Sequence, residues 1–164
     1  MEFRESIQWS LGRLHAALLR SLDSLTTEQV AWRPCSSCNS IGSMVIHLGR
    51  VQDTWAHRIL GRSDIWETEG WADRFGLPAQ DRGWSYDQQS QDEKSPLEDL
   101  LGYYEAAFRL WGQTVSDLSE ERFGEPVESP LKLTVDQTLT HVVTELSQHV
   151  GQIDYLRGMQ QSDA

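Results

Sequence analysis

The sequence predicts an all-α protein, a four-helix bundle with a long crossover between its second and third long helices. Three observations carry this. Apolar residues recur at helical spacing in four segments, no segment shows the alternation of a strand, and cap signals bracket several of the segments.

The first helix is expected over residues 2–23, where Phe3, Ile7, Leu11, Leu14, Leu18 and Leu22 form one stripe. The stretch from Thr26 to Pro34 breaks that pattern, and Pro34 blocks helical continuation. The second helix runs from Ile41 to Leu60, with Ser40 as its N-terminal cap and Gly61 suited to a left-handed C-terminal cap. Ile41, Met44, Leu48, Val51, Trp55 and Ile59 make its stripe, and His47 lies within or beside it. The third helix starts at Ser95-Pro96-Leu97-Glu98, with Ser at the cap and Pro at the first helical position. Its stripe is Leu97, Leu100, Leu101, Tyr104, Phe108, Trp111, Val115 and Leu118. The fourth opens at Thr134-Val135-Asp136-Gln137, buries Val135, Leu139, Val142, Leu146, Ile153 and Leu156, and is expected to end at Gly158.

Residues 62–94 are too long for a hairpin turn. They hold three of the seven tryptophans, Trp66, Trp71 and Trp84, together with Phe75 and Tyr86. Such aromatic content predicts an ordered crossover packed on the bundle, walling a pocket or meeting a second subunit.

At 164 residues the chain, 1–164, is expected to form one domain with a real core. Lys and Arg total 14 against 25 Asp and Glu, a net charge of −11. That balance argues against nucleic-acid binding and against docking on anionic lipid. No apolar run approaches the roughly 20 residues of a membrane span. The start, Met1-Glu2-Phe3-Arg4, lacks the pattern of a secretory signal, so a cytoplasmic location is the default expectation. The two cysteines stand as Cys35-Ser-Ser-Cys38. With no second pair for zinc and no thioredoxin-like setting, they are expected to be reduced thiols in a loop.

The chemistry centres on His47, Glu145 and His149. Residues i and i+4 on a helix lie roughly 40° apart around the axis and about 6 Å apart along it, so Glu145 and His149 point the same way. Polar side chains on a core-facing stripe are costly unless paired. A divalent metal shared with His47 from a neighbouring helix would satisfy all three. Imidazole and carboxylate suit zinc, nickel or ferrous iron better than magnesium or calcium, and three protein ligands leave a coordination position open, as in catalytic zinc sites. His141 is too far along the helix to join the same ion and reads as a rim residue. His57 reads as a surface or edge residue, and His15 has no evident partner.

Two sets of segments carry a family resemblance. Trp32-Arg33-Pro34, Asn39-Ser40-Ile41-Gly42 and His47 form one set, and Leu139-Thr140-His141-Val142-Val143 with His149-Val150-Gly151-Gln152-Ile153 form the other. Together they resemble the DinB/YfiT-like superfamily of metalloenzymes over most of the chain. The resemblance implies a bundle with a long second connection and a divalent metal, commonly zinc or nickel, held by three side chains. The usual set is three histidines, and Glu145 departs from it at the middle position. That substitution resembles the branch containing mycothiol-dependent maleylpyruvate isomerase. As a ligand, Glu145 would lower the net charge of the site and make the metal a weaker Lewis acid. Just outside the coordination sphere it would accept a proton from bound water instead.

The resemblance implies a metal-dependent enzyme that uses a low-molecular-weight thiol (mycothiol, bacillithiol or glutathione) on a small electrophilic substrate, an S-transferase or isomerase type of activity. Gln148 and Gln152 are candidate polar wall residues. The alternatives are a metal-dependent hydrolase and a noncatalytic, stress-associated metal-binding or dimerisation module. A nonhaem iron oxygenase is a further alternative, because two histidines and a carboxylate form its ligand set. Bundle proteins of this family often pair, so a homodimer is expected.

Overall fold

A computed structural model describes residues 2–77 and 95–162 of the chain. The described elements are α1 (Phe3–Leu22), α2 (Thr27–Ala31), α3 (Ile41–Leu60), α4 (Ile65–Thr68), α5 (Trp71–Arg74), α6 (Leu97–Asp117), a single 3-10 turn (Glu120–Arg122) and α7 (Val135–Ser162). Among the described residues there is no strand, only one bridge pairing Pro126 with Thr134. The four long helices form a ring in which α3 packs on α6 and α7, and α1 packs on α7 and α6.

The expected stripes are the buried faces. Ile41, Met44, Leu48, Val51, Trp55 and Ile59 of α3 are all buried, as are Val135, Leu139, Val142, Leu146, Ile153 and Leu156 of α7. The caps of α3 form as their residues require. Ser40 Oγ accepts the Ser43 N–H at 2.9 Å. Gly61 takes a left-handed φ of 64° and donates to the His57 carbonyl.

Several local expectations change. The stretch after α1 is not simply a break, because Thr26 and Gln29 form a reciprocal capping box that supports the five-residue α2. α6 begins one residue later than expected, with Pro96 itself at the cap and no side-chain cap bond. Gly158 does not end α7, which continues to Ser162. Phe3 stays 41% exposed at the helix start. Cys35 and Cys38 are joined in a disulfide, so they are not the reduced thiols expected. Their spacing allows it: one turn pairs the Cys38 N–H with the Cys35 carbonyl and brings the two Cα atoms to 5.2 Å.

α3 is buried on almost every face, including Arg50, Gln52 and Asp53. Arg50 Nη1 donates to Asp53 Oδ2 at 3.0 Å and to the Tyr103 hydroxyl at 2.9 Å, while Nη2 reaches Asp64 Oδ2 at 3.2 Å. Tyr103 donates in turn to Asp53 Oδ2 at 2.9 Å. Asp53 also accepts the N–H groups of Ile65 and Trp66, at 3.0 and 3.1 Å, so it fixes the start of α4. Burial pushes the Asp53 carboxyl above the ordinary carboxylate range, against the pull of Arg50.

The first part of the crossover is ordered on the bundle as expected. Trp66, Trp71 and Phe75 are buried, and the Arg50 guanidinium lies 5.0 Å from the Trp66 ring centroid. Trp84 and Tyr86 lie outside the described residues. Gly49 allows α3 and α6 to approach closely, since a Cβ there would sit 2.7 Å from Tyr103 Cε1.

Two stability outcomes follow. Asp53→Asn removes the more buried of the two carboxylates that answer Arg50, leaving only Asp64 at 3.2 Å, and should cost up to about 3–5 kcal/mol in urea unfolding; a cost under about 1 kcal/mol would show that Asp64 and Tyr103 suffice. Gly49→Ala should cost about 1–3 kcal/mol, because the Tyr103 ring must move and takes its hydrogen bonds with it.

Candidate metal centre

The site lies where the middle of α3 faces the middle of α7. His47 stands one turn before Arg50, and the Arg50 network fixes its stretch of helix. Glu145 and His149 project from α7 one turn apart, each followed by a buried residue, Leu146 and Val150, that holds this stretch to the core.

The three expected residues converge. His47 Nε2 lies 3.4 Å from Glu145 Oε2, and His149 Nε2 lies 3.6 Å from the same oxygen. The two imidazoles meet edge to face with centroids 4.7 Å apart. One ligand atom from each residue falls within a 4.8 Å set, and all three side chains are partly buried, open to solvent on one side.

His149 Nδ1 is 2.9 Å from Gln152 Oε1. With the amide oxygen turned toward it, Nδ1 is the donor in this contact, and Nε2 faces Glu145. The donor set therefore fits a divalent metal: two imidazole nitrogens and a carboxylate, one imidazole already oriented from behind by an amide.

Burial, and then the neighbouring His149, hold the His47 imidazole below its ordinary value of 6.5, against the upward pull of Glu145. His47 is thus neutral, as a ligand must be, at a lower pH than a free histidine.

A cavity of about 330 Å³ opens on the centre. His47 and Glu145 lie in its wall with Val51, Trp55, Leu131 and His141. Arg58 also lines it and brings a guanidinium group to a mainly apolar chamber; Arg50 reaches the wall too, but its guanidinium is held by Asp53, Asp64 and Tyr103. His141 packs edge-on against Trp55 at 5.4 Å, a rim position and not a fourth ligand. Gln148 and Gln152 line a second, larger cavity of about 720 Å³ on the other flank.

Of the other histidines, His15 differs from expectation and His57 takes the edge position expected. His15 does have partners: it stacks on Phe108 with centroids 4.0 Å apart and sits 3.3 Å from the Tyr104 hydroxyl. His57 is half-buried, and its Nδ1 lacks a hydrogen-bond partner among the described residues. Sequence reasoning missed Arg50, Asp53 and Arg58. A charged pair three residues apart inside an otherwise apolar helix was the available signal for the first two.

Fold and centre together define a helical bundle with a three-residue candidate metal centre at the wall of a small chamber. The chain belongs to the Mycothiol-S-transferase family, a DinB/YfiT-like family, with the match running over residues 7–161. A solved structure, described as the conserved protein of locus from Enterococcus faecalis, shares the fold with a TM-score of 0.82 and 19% identity over 96% of each chain. No curated protein matches the sequence. No helix among the described residues is long and apolar enough to cross a membrane.

His149→Ala should reduce bound transition metal from about one equivalent to under a tenth, read by metal analysis, while circular dichroism keeps its helical intensity. Metal affinity should fall on acidification as protons compete for the imidazoles. In the metal-free protein, the lowered pKa of His47 means that the folded chain binds fewer protons than the unfolded one just below pH 6.5. Stability should therefore fall as pH drops through that window, and His47→Gln should flatten the slope of Tm against pH.

Proposed function

We propose that this protein is a divalent-metal-dependent S-transferase that joins mycothiol to a small electrophile. Family membership supports the thiol and the transfer. The observation that carries the metal is the convergence of His47, Glu145 and His149 on one point at the wall of a chamber.

His47, Glu145 and His149 would hold the ion, zinc or nickel by the chemistry of the donor set, with iron as a further candidate. When bound, such an ion supplies Lewis acidity that favours thiolate over thiol near neutral pH. The chain supplies the rest. Gln152 keeps His149 in the tautomer that points Nε2 inward. Glu145 Oε2, within 3.6 Å of both imidazoles, is placed either to hold the ion and balance its charge or, from just outside the coordination sphere, to receive the thiol proton. Val51, Trp55 and Leu131 exclude water from the space beside it. Arg58 favours an electrophile with a negative charge or one that gains it during addition. The sulfur–carbon bond forms as the thiolate attacks, and the leaving group or the displaced π electrons carry away the negative charge.

The test is mycothiol consumption with a small chromogenic electrophile such as chlorodinitrobenzene. Metal-loaded protein should catalyse it, chelated protein should not, and restored metal should recover it. Glu145→Gln should lower kcat/KM by about 10²–10⁴-fold if the carboxylate takes the proton. Metal-dependent ester or amide cleavage without any thiol requirement would replace this reading with a hydrolase. No retained metal and no turnover would replace it with a noncatalytic module.

A further inference from the structure

The Cys35–Cys38 disulfide is not used by the centre described above, yet it borders on it. The loop that carries it joins α2 to α3, and Cys38 lines the 720 Å³ cavity together with Asn39, Met44, Gln148 and Gln152. Gln152 is the residue whose amide oxygen holds His149 Nδ1, and Met44 lies one turn before His47. The lining of the cavity thus includes the residue that holds His149 from behind and one half of the disulfide, Cys38, with Cys35 just outside it. The two sulfurs are unequal: Cys35 is exposed and Cys38 is half-buried.

We propose that this disulfide is a thiol-exchange site, at which a low-molecular-weight thiol forms a mixed disulfide with Cys35. The proposal takes its choice of thiol from the function proposed above but needs no metal. In the first step a thiolate RS⁻ attacks the exposed Cys35 sulfur, an S–S bond forms between them, and the Cys35–Cys38 bond breaks. The electron pair leaves on Cys38 as a thiolate. That leaving group sits three residues ahead of Ile41, the first residue of the 20-residue helix α3, whose N-terminal end favours negative charge. Arg33 adds a positive charge to the same loop, its Nη1 donating to the Cys38 carbonyl at 2.8 Å. In the second step another RS⁻ attacks the bound thiol's sulfur, releasing RSSR and the Cys35 thiolate. Ser37 Oγ, 3.4 Å from Cys35 Sγ, is placed to donate to that thiolate. The protein disulfide gains two electrons, and two thiols lose one each.

Ser37 and Cys38 bring the cavity to the edge of Cys35, and its neutral, hydrogen-bonding lining suits the body of a thiol whose sulfur reaches out to Cys35. Asn39, Gln148 and Gln152 offer amide donors and acceptors, and no charged residue lines the cavity. An uncharged, polar thiol is favoured there over one carrying carboxylates, whose desolvation the lining does not offset.

The test uses the oxidised full-length chain, freed of metal by chelation, and mycothiol, with glutathione as the comparison thiol. After acid quenching and alkylation, intact mass and peptide mapping should show one thiol added at Cys35 and alkylated Cys38. Mycothiol should react at least about tenfold faster than glutathione at equal thiolate concentration. The single variants Cys35→Ser and Cys38→Ser, incubated with the disulfide form of mycothiol, check the site. Cys38→Ser should acquire a lasting adduct at Cys35, and Cys35→Ser should label at least about tenfold more slowly. A wild-type disulfide that survives millimolar thiol, or an adduct confined to Cys38, overturns the proposal. An adduct without catalysed thiol transfer would leave this site standing and remove the proposed function. Transfer without an adduct would do the reverse.

Discussion

The buried contact between Arg50 and Asp53 sets the frame on which the rest of the molecule is placed. Two charges almost wholly removed from water survive only where every donor and acceptor is answered. Tyr103 of α6, Asp64 and the first amides of α4 provide those answers. The same contact therefore fixes three things at once: the seating of α3 on α6, the turn that leaves α3, and the first aromatic anchor of the crossover. Gly49 belongs to this arrangement, because without its missing side chain Tyr103 could not come close enough to share the network. An apolar pair would seal this interface with less risk, but it would not dictate which amides begin α4.

Holding α3 this firmly matters for the residue one turn upstream. His47 is neither fully buried nor free in water, and a carboxylate from across the interface stands between it and a second imidazole. His47 Nε2 and His149 Nε2 both face the one Glu145 oxygen, at 3.4 and 3.6 Å, and three ligand atoms so gathered make a donor set that a cation would fit. Gln152 Oε1, 2.9 Å from His149 Nδ1, orients that ring from behind.

Much of this was legible in the residues. The α3 and α7 stripes, the Ser40 and Gly61 caps, the shared face of Glu145 and His149 and the place of His47 beside the α3 stripe all follow from helical spacing with apolar burial. The nearness of His47 to that pair across helices also needed the bundle, which the sequence pattern supplies only in outline. The illegible parts share a cause: they depend on tertiary partners. The interior role of Arg50 requires Tyr103, more than fifty residues away, and the stacking of His15 requires Phe108. α7 runs past Gly158 because its last turns have something to rest on: Gln160 donates to the Gln29 carbonyl at 2.7 Å. The pairing of Cys35 with Cys38 was geometrically available, and composition argued the other way.

The chamber beside the centre has walls of two different kinds. Val51 and Trp55 belong to α3, whose position the buried charges dictate. Leu131 belongs to the connection ahead of α7, where it is 55% exposed. That connection is tied to α3 by the Arg58 guanidinium on the Glu128 carbonyl. A backbone carbonyl accepts this bond whatever side chain it carries. The outer wall can thus accumulate substitutions and change which molecules fit the chamber, while the inner wall, with His47 beside it, keeps its register. In a lineage of such proteins, the shape of the chamber would diverge first at this connection and last along α3.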